Sequence, residues 1–291
     1  MDERALLSVV RDVIGREQTL DDCAVMPSGE SLLVATTDML HETTDFPPEM
    51  NDWQIGWMSA AVSLSDIAAM GACPWFLLLA TGLDRPERLG GLLKGALDCC
   101  LRFGSEFVGG DLDHHGELTI VSTAIGRVEL DRVVRRSGSR TGDALCVTGT
   151  LGCAGAALAG YHEFDQYLFE PQPRVEEGRK LGAAGVTSMM DISDGLALSL
   201  YDLSEANPCG YAVSLSRIPV PPGVPAKVAE ECALYAGGDF ELLFTCPPGR
   251  LPRIDIPFTV IGEVIPEKKV TLDGREMEKR GYVHMWQDRG Q

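Results

Sequence analysis

A carboxylate inside an apolar segment constrains the fold of this chain more than any other feature. Asp66 lies within residues 60–70, where its neighbours at helical spacing are Val62, Ala69 and Met70. A helix over this segment would bury the charge, which costs several kcal/mol unless a cation or a hydrogen-bond donor compensates it. The sequence therefore predicts a buried helix whose acid pairs with a cation or a hydrogen-bond donor.

Other aspartates stand beside glycine, serine or threonine where apolar segments end. They are Asp21 and Asp22, Asp38 in Thr36-Thr37-Asp38, Asp111 in Gly109-Gly110-Asp111, Asp191 and Asp194 in Asp191-Ile192-Ser193-Asp194-Gly195, and Asp239 in Gly237-Gly238-Asp239. One such residue is typically a helix cap, but five or six together favour a shared site. Carboxylates suit Mg²⁺, which prefers them together with phosphate oxygens, and glycine beside an acid lets a polyanion approach the backbone. We therefore expect magnesium and phosphate chemistry, with Asp191 and Asp194 on one face of a helix start.

Net charge, the length of apolar runs and the cysteine count disfavour several classes of protein for this chain. The net charge of −18 disfavours nucleic acid and anionic lipid as partners, and no stretch approaches the roughly 20 apolar residues that span a bilayer. The N-terminus lacks the basic start and apolar core of a signal peptide, so a cytoplasmic protein is expected. The nine cysteines, an odd number without a Cys-x-x-Cys pair, favour free thiols over disulfides or zinc.

The chain length of 291 residues predicts two domains of about 100–200 residues each. A polar, glycine-containing stretch at 135–143 places the boundary there, with an N-terminal domain of residues 1–135 and a C-terminal domain of residues 136–291. Predicted helices cover 1–14, 53–70 with Asp52 as the cap, 86–101, 153–159, 175–181 and 195–205. Predicted strands cover 32–36, 75–80, 117–128, 144–148, 242–246 and 258–264. This mixture, with long connections, predicts an α+β (mixed α/β) fold.

In their order along the chain, the motifs resemble those of the thiamine-monophosphate kinase family, part of the superfamily that includes aminoimidazole ribonucleotide synthetase. The resemblance covers nearly the whole chain and rests on Thr-Thr-Asp-Met-Leu (36–40), Ser-Leu-Ser-Asp-Ile-Ala-Ala-Met-Gly-Ala-Cys-Pro (63–74), Gly-Gly-Asp (109–111), Arg-Ser-Gly-Ser-Arg-Thr-Gly-Asp (136–143), Val-Thr-Gly-Thr-Leu-Gly (147–152), Asp-Ile-Ser-Asp-Gly-Leu (191–196) and Gly-Gly-Asp-Phe-Glu-Leu-Leu-Phe (237–244). Each motif alone is weak, and the combined order and spacing carry the resemblance.

The resemblance implies a two-domain aminoimidazole ribonucleotide synthetase-like fold and a homodimer whose N-terminal domains form a shared sheet or barrel. It also implies ATP between the domains and several Mg²⁺ ions that bridge phosphates. The matching motifs assign metal binding to Asp21, Thr36, Thr37, Asp38, Asp66, Asp111, Asp191 and Asp194. They assign ATP contacts to Gly110, Asp111, Arg136 and Ser193, and catalysis to Asp191 and Arg136. Tyr282 matches the aromatic residue that stacks on the thiamine ring.

Three departures from the family pattern concern the acceptor. Asp45 stands where the family usually has a histidine near the substrate. The family's Gly-Gly-Glu-Asp is shortened to Gly237-Gly238-Asp239, and Gly-Gly-Asp-Thr-Thr reads Gly-Gly-Asp-Leu-Asp at 109–113. The predicted substrate-binding residues are therefore Asp45, Asp239 and Tyr282.

The implied reaction is in-line transfer of the γ-phosphoryl group of ATP to the phosphate of thiamine monophosphate, which gives thiamine diphosphate. The second pKa of a phosphate monoester is about 6, so the acceptor oxygen is ionised near neutral pH and no strong base is needed. Metal ions offset the repulsion between the two anions. Three alternatives stay open: a ring-closing ligase of the aminoimidazole ribonucleotide synthetase type, a kinase for another small phosphate, and a nucleotide-binding dimeric regulator without catalysis.

Overall fold

Two separate β-sheets organise the computed structural model, which describes residues 3–284. The first contains Ala24–Ser28 (β1), Ser31–His41 (β2), Cys73–Leu83 (β3), Glu106–His114 (β4) and Thr119–Glu129 (β5). The second contains Ala144–Val147 (β6), Ser188–Ile192 (β7), Gly210–Val213 (β8), Glu241–Cys246 (β9), Thr259–Ile265 (β10), Val270–Leu272 (β11) and Arg275–Glu276 (β12). Their strand orders are β1-β2-β5-β3-β4 and β12-β11-β8-β10-β6-β9-β7. The changeover falls between Glu129 and Ala144, and we propose the domain boundary there, between residues 135 and 136.

Helices pack against both sheets, so the predicted α+β class is confirmed. They are Glu3–Ile14 (α1), Asp52–Ala69 (α2), Leu89–Phe103 (α3), Cys153–Leu158 (α4), Asp165–Phe169 (α5), Val175–Ala184 (α6), Leu196–Ala206 (α7) and Ala226–Tyr235 (α8). None of those in residues 3–284 combines the length and the apolar character that crossing a bilayer requires.

The central helix α2 covers one face of the first sheet. Strands β2 and β5 pair antiparallel over their full length, from Ser31 opposite Glu129 to His41 opposite Thr119. Side chains alternate between the faces of a strand, so Val34 and Ala124 point towards α2 and are fully buried with Leu64. The predicted buried helix is therefore present, and it contacts β7 and α6 as well as the first sheet.

The other face of the first sheet is open. Met26, Met39, Trp75 and Leu78 are exposed by 36–56% on β1, β2 and β3. Soluble monomers rarely expose a contiguous apolar sheet surface, because such a surface favours association. We call these four side chains the outer apolar face.

Two helix starts differ from the prediction, those of α2 and α3. Asn51, and not Asp52, caps α2: its Oδ1 accepts from Gln54 N at 3.0 Å, and Gln54 Oε1 accepts from Asn51 N at 3.2 Å, which completes a capping box. Pro86 opens a separate 3-10 turn, Pro86–Arg88, and α3 begins only at Leu89. The predicted helix start at 86 was therefore three residues early.

The prediction that Asp191 and Asp194 share a helix face was wrong. Asp191 lies in β7, where it pairs with Leu242 of β9. Asp194 lies in the following turn, and Gly195 has φ 98°, outside the helical range, before α7 begins at Leu196. The two acids therefore belong to different elements.

Candidate functional site

Three acids from distant parts of the chain meet between the two sheets. Asp22 comes from the turn before β1, Asp66 from α2 and Asp191 from β7, and one carboxylate oxygen of each lies within 4.8 Å of the other two. We call these residues the acidic triad. Because α2 packs against both β2 and β7, the helix brings Asp66 close to the acids of the other two segments.

Hydroxyl groups orient the carboxylates. Thr36 Oγ1 donates to Asp66 Oδ2 at 2.5 Å, and Ser65 Oγ donates to Asp191 Oδ2 at 2.7 Å. Asp38, on the same face of β2 as Thr36, accepts from Ser63 Oγ at 2.5 Å. These donors favour the ionised carboxylates, but each supplies only one hydrogen bond to a charge that burial has removed from water.

Burial raises the pKa of each acid in this group. The pKa of Asp191 rises to about 7, mainly because the side chain is buried and also because Asp22 is a nearby like charge. The pKa of Asp66 lies well above its usual value, through burial and then through the charges of Asp38 and Asp191. Burial likewise raises the pKa values of Asp22 and Asp38. A site with these properties binds either protons or cations.

A metal ion fits the donor set of the triad. The side chain of Asp22 is 0% exposed, and its Oδ2 has no hydrogen-bond donor among residues 3–284. A buried acceptor without a donor is costly, and a cation would compensate it. All the converging ligand atoms are carboxylate oxygens, the donor type that Mg²⁺ prefers.

Arg136 lies at the edge of the triad. Its Nη2 and Nε both donate to Asp22 Oδ1, at 2.5 and 3.1 Å, and its backbone N donates to Asp21 Oδ1 at 2.9 Å. Asp21 also accepts from Arg135 Nη1 at 2.5 Å. Asp21, which the motif match assigned to the metal, therefore anchors the 135–136 backbone and ion-pairs with Arg135, whereas Asp22 joins the triad.

Sequence reasoning placed the metal ligand at Asp21 and left out Asp22. The two residues are adjacent in a turn, where neither helical nor strand periodicity indicates which side chain points inwards. The acidic pair Asp21-Asp22 was the available signal, and the motif match selected Asp21 from it.

The predicted β2 ligands divide between the two faces of the strand. Thr36 and Asp38 face α2, but Thr37 alternates to the other face, where its Oγ1 donates to Ser122 O at 3.0 Å. The structure therefore does not bring the Thr37 hydroxyl to the triad.

The Gly110-Asp111 pair lies on β4, the exposed edge strand of the first sheet. Asp111 is exposed beside Ala80 and is not a member of the triad. A Cβ on Gly110 would meet Leu79 O at 1.8 Å, so the close approach of β3 requires glycine at this position. Contacts of these two residues with ATP remain a proposal.

The turn between β7 and α7 carries Ser193 and Asp194. Ser193 O accepts from Gly238 N at 2.8 Å, and Asp194 Oδ2 accepts from Arg4 Nη2 at 3.0 Å. Both residues line a cavity of about 660 Å³ that also includes Asp38 in its wall. Because Asp38 lies close enough to Asp66 to raise its pKa, the cavity adjoins the triad.

The cavity wall combines apolar and acidic side chains. Met58, Val62 and Phe240 contribute apolar surface, and the acids of the wall are Asp38, Asp45, Glu49, Asp165 and Asp194. His162 and His284 are present, but no lysine or arginine of the described chain lines the cavity. Such a wall favours an organic cation over an anion.

Two of the three predicted substrate residues face this cavity. Asp45 Oδ1 lies 3.9 Å from His284 Nε2, and the ring of Tyr282 packs edge-on against that of His284 at 5.1 Å between centroids. Tyr282 Oη also donates to Thr44 O at 3.4 Å. The segment that carries Tyr282 and His284 therefore meets the segment that carries Asp45 across the cavity mouth.

Asp239, the third predicted substrate residue, is not in the cavity wall. Its carboxylate accepts from Gly152 N at 2.5 Å and from Ala154 N at 3.2 Å, at the start of α4. Burial raises its pKa to about 7, although these backbone donors oppose the shift. This geometry assigns Asp239 to holding α4 and does not support a direct contact with substrate.

Known proteins resemble this chain over its whole length. A family model described as AIR synthase related protein, N-terminal domain, matches residues 20–128. The chain is 51% identical to the thiamine-monophosphate kinase of Methanospirillum hungatei, covering 98% of this chain and 100% of that protein. It is 42% identical to the thiamine-monophosphate kinase of Halobacterium salinarum, with 98% and 100% covered. The solved structure of AaThiL complexed with AMPPCP and TMP superposes with a TM-score of 0.89 at 27% identity, over 98% of this chain and 97% of that one.

Proposed function

We propose, since this chain belongs to the thiamine-monophosphate kinase family, that it transfers the γ-phosphoryl group of ATP to thiamine monophosphate. The products are thiamine diphosphate and ADP. The acceptor phosphate attacks in line, and its second pKa of about 6 leaves it ionised near neutral pH. This chemistry agrees with a site that is rich in aspartate and has no histidine in the acidic triad.

One observation carries the proposal: a carboxylate cluster suited to a metal adjoins a cavity whose wall has several acids and, in the described chain, no lysine or arginine. Thiamine monophosphate has a cationic thiazolium ring and an anionic phosphate. Asp45 and Glu49 in the cavity wall favour the ring cation, and the end of the cavity beside the triad would favour the phosphate once cations are bound there. An alternative phosphate substrate without a cationic ring would gain no electrostatic attraction from Asp45 or Glu49.

Asp22, Asp66 and Asp191 would hold Mg²⁺, with Asp38 beside them. The ion supplies charge neutralisation for the phosphate oxygens. Arg136, fixed against Asp22 Oδ1, adds a permanent positive charge at the same end of the site. Gly110, Asp111 and Ser193 are proposed to contact ATP, and Tyr282 to pack on the thiamine ring.

We also propose that the active form is a homodimer joined through the first sheet. The outer apolar face supports this proposal, because its four exposed side chains, Met26, Met39, Trp75 and Leu78, come from three strands of the first sheet. A second copy of the same face would cover them by a two-fold arrangement, the commonest symmetry of soluble oligomers. The exposed edge strand β4, with Asp111, lies at the border of this face.

The direct test incubates the purified chain with ATP, Mg²⁺ and thiamine monophosphate. Thiamine diphosphate should appear in equal amount to ADP. Replacing thiamine monophosphate by a phosphate ester without a ring cation should leave ADP formation at background. ADP and free phosphate without thiamine diphosphate would contradict the proposal.

A further inference from the structure

A single buried arginine holds both ends of the segment that forms the cavity mouth. Arg88, in the 3-10 turn before α3, has only 7% of its side chain exposed. Its Nη1 donates to Glu42 Oε1 at 2.6 Å, and its Nε donates to Asp52 Oδ1 at 2.8 Å. Glu42 directly follows β2, and Asp52 is the first residue of α2. The guanidinium therefore joins the two ends of residues 42–52.

This segment supplies one wall of the cavity. Seven consecutive residues from Thr43 to Glu49 line it, among them Asp45 and Phe46. Asp45 is fixed locally, because its Oδ2 accepts from His41 N and from Thr44 Oγ1, both at 2.7 Å. Phe46 is buried in the core of the first sheet. The position of the wall thus depends on a few local bonds, one apolar anchor and the two ends.

The positions of the two ends of residues 42–52 depend on the positive charge of Arg88. Asp84 is a third carboxylate on the same guanidinium, with Oδ1 3.2 Å from Nη1. Three acids surround one cation, so without Arg88 they would repel one another and move the segment ends apart. The planar fork of arginine can bind two carboxylates at fixed angles, whereas the point charge of lysine cannot reproduce that geometry.

We propose that Arg88 is a positioning residue for the acceptor substrate: by holding Glu42 and Asp52 it sets the place of Asp45 and Phe46 in the cavity wall. Arg88 itself does not line the cavity. The inference deepens the proposed function and rests on it for the identity of the acceptor. It predicts an effect on acceptor binding that is separate from nucleotide binding.

The test compares three variants with the wild-type chain. Glu42→Gln combined with Asp52→Asn removes both anchors and leaves Arg88 paired with Asp84, so no unpaired cation is buried. Arg88→Lys keeps the charge and loses the fork. Lys94→Ala is the matched control, because it removes the exposed Lys94–Asp98 ion pair of α3 and leaves Arg88 and its three carboxylates in place.

Hydrogen–deuterium exchange of peptides within residues 43–51 measures the wall directly and needs no substrate. The anchor variant should exchange about tenfold faster there than wild type, since the local opening free energy falls, while α3 peptides stay unchanged. The KM for thiamine monophosphate should rise about fivefold, the cost of ordering the wall on binding, with kcat and the KM for ATP within about twofold. Arg88→Lys should lie between the two, and Lys94→Ala should match wild type.

Unchanged exchange in residues 43–51, or equal rises in both KM values, would overturn the role of Arg88. A wild-type chain that does not phosphorylate thiamine monophosphate would instead refute the proposed function. The exchange measurement would still decide whether Arg88 positions the wall, so the two failures are distinguishable.

Discussion

Ser65 Oγ of α2 donates a 2.7 Å hydrogen bond to Oδ2 of Asp191 on β7. Both residues are buried, and they lie 126 positions apart in the sequence. The bond joins the helix that covers the first sheet to an edge strand of the second. The acidic triad therefore exists only when the two halves of the chain pack together, so its chemistry and the relative placement of the halves are linked.

Asp191→Asn tests the central acid of the triad. The amide keeps the shape and can still accept from Ser65 Oγ, so the fold should persist. Turnover should fall by roughly 100-fold or more, because charge stabilisation through a bound metal is worth several kcal/mol. Circular dichroism checks that the variant is folded, and a coupled assay of ADP formation measures its turnover. Near-wild-type turnover in a folded variant would remove Asp191 from the metal site.

Asp22→Asn and Asp21→Asn form a matched pair that decides which neighbour binds metal. Only Asp22 has a buried oxygen without a donor, and only Asp22 belongs to the triad. Asp22→Asn should raise the Mg²⁺ concentration for half-maximal activity about tenfold or more, and Asp21→Asn by much less. The affinity of each variant for Mn²⁺, measured by electron paramagnetic resonance, should rank the two variants in the same order without requiring turnover. The reverse order would restore the motif-based assignment to Asp21.

The place of Asp66 in a buried helix was predicted correctly, because an isolated charge in an apolar helix is visible in the sequence. The face of β2 was not predicted: the predicted strand ended at residue 36, whereas β2 continues to His41, so Thr37 was grouped with Thr36 and Asp38 although its side chain alternates to the other face. Asp191 was recognised as a site residue but was placed on the wrong element. Its segment Ser188–Ile192 has five residues, all buried, and such a short apolar run does not distinguish a strand from a helix.

Other parts of the site depend on contacts that no local pattern contains. The pairing of Ser65 with Asp191 and the double clamp of Arg88 join residues far apart in sequence. Asp239 looked like a substrate ligand from its motif, yet the approach of the α4 backbone makes it an acceptor for Gly152 and Ala154. Residue types thus predicted the chemistry, and tertiary packing decided which acid performs each role.

Removal of metal should make stability depend on pH in an unusual direction. Asp22, Asp38, Asp66 and Asp191 keep their protons to higher pH in the folded chain than in the unfolded one, where an aspartate has a pKa of about 3.9. The folded state therefore binds more protons from about pH 4 to the Asp191 value of about 7, and the free energy of unfolding falls as pH rises through that range.

In EDTA, the Tm at pH 8 should be lower than at pH 5 by about 5 °C or more, which corresponds to a few kcal/mol for a chain of this size. Mg²⁺ should raise the Tm at pH 8 and have little effect at pH 5, where protons occupy the same carboxylates. Differential scanning fluorimetry at both pH values, with and without Mg²⁺, measures all four conditions. A metal-free protein that is more stable at pH 8 would contradict the raised pKa values.

Asp45 tests the preference of the cavity for a cationic acceptor. Asp45→Asn keeps the acceptor for His41 N but removes the charge from the cavity mouth. The KM for thiamine monophosphate should rise about fivefold to tenfold, as expected for the loss of one charge pair in a partly buried site, with little change in the KM for ATP. The difference in KM between the variant and the wild type should be smaller at high ionic strength, because salt weakens the attraction between Asp45 and the ring cation in the wild type. Equal KM values for the wild type and Asp45→Asn would show that the Asp45 carboxylate does not attract the cationic ring.

The outer apolar face tests the proposed dimer. Met39 is 56% exposed near the end of β2, at a position where a two-fold partner would bury it. Met39→Lys would place two buried like charges in the interface, and that repulsion with its desolvation cost should dissociate the dimer. Leu101→Lys is the control, because Leu101 is 68% exposed on α3, which packs on α2 and so does not belong to the outer apolar face. Sedimentation equilibrium should give two chains per particle for wild type and for the control, and one for Met39→Lys. A dimeric Met39→Lys protein would place the interface on another surface.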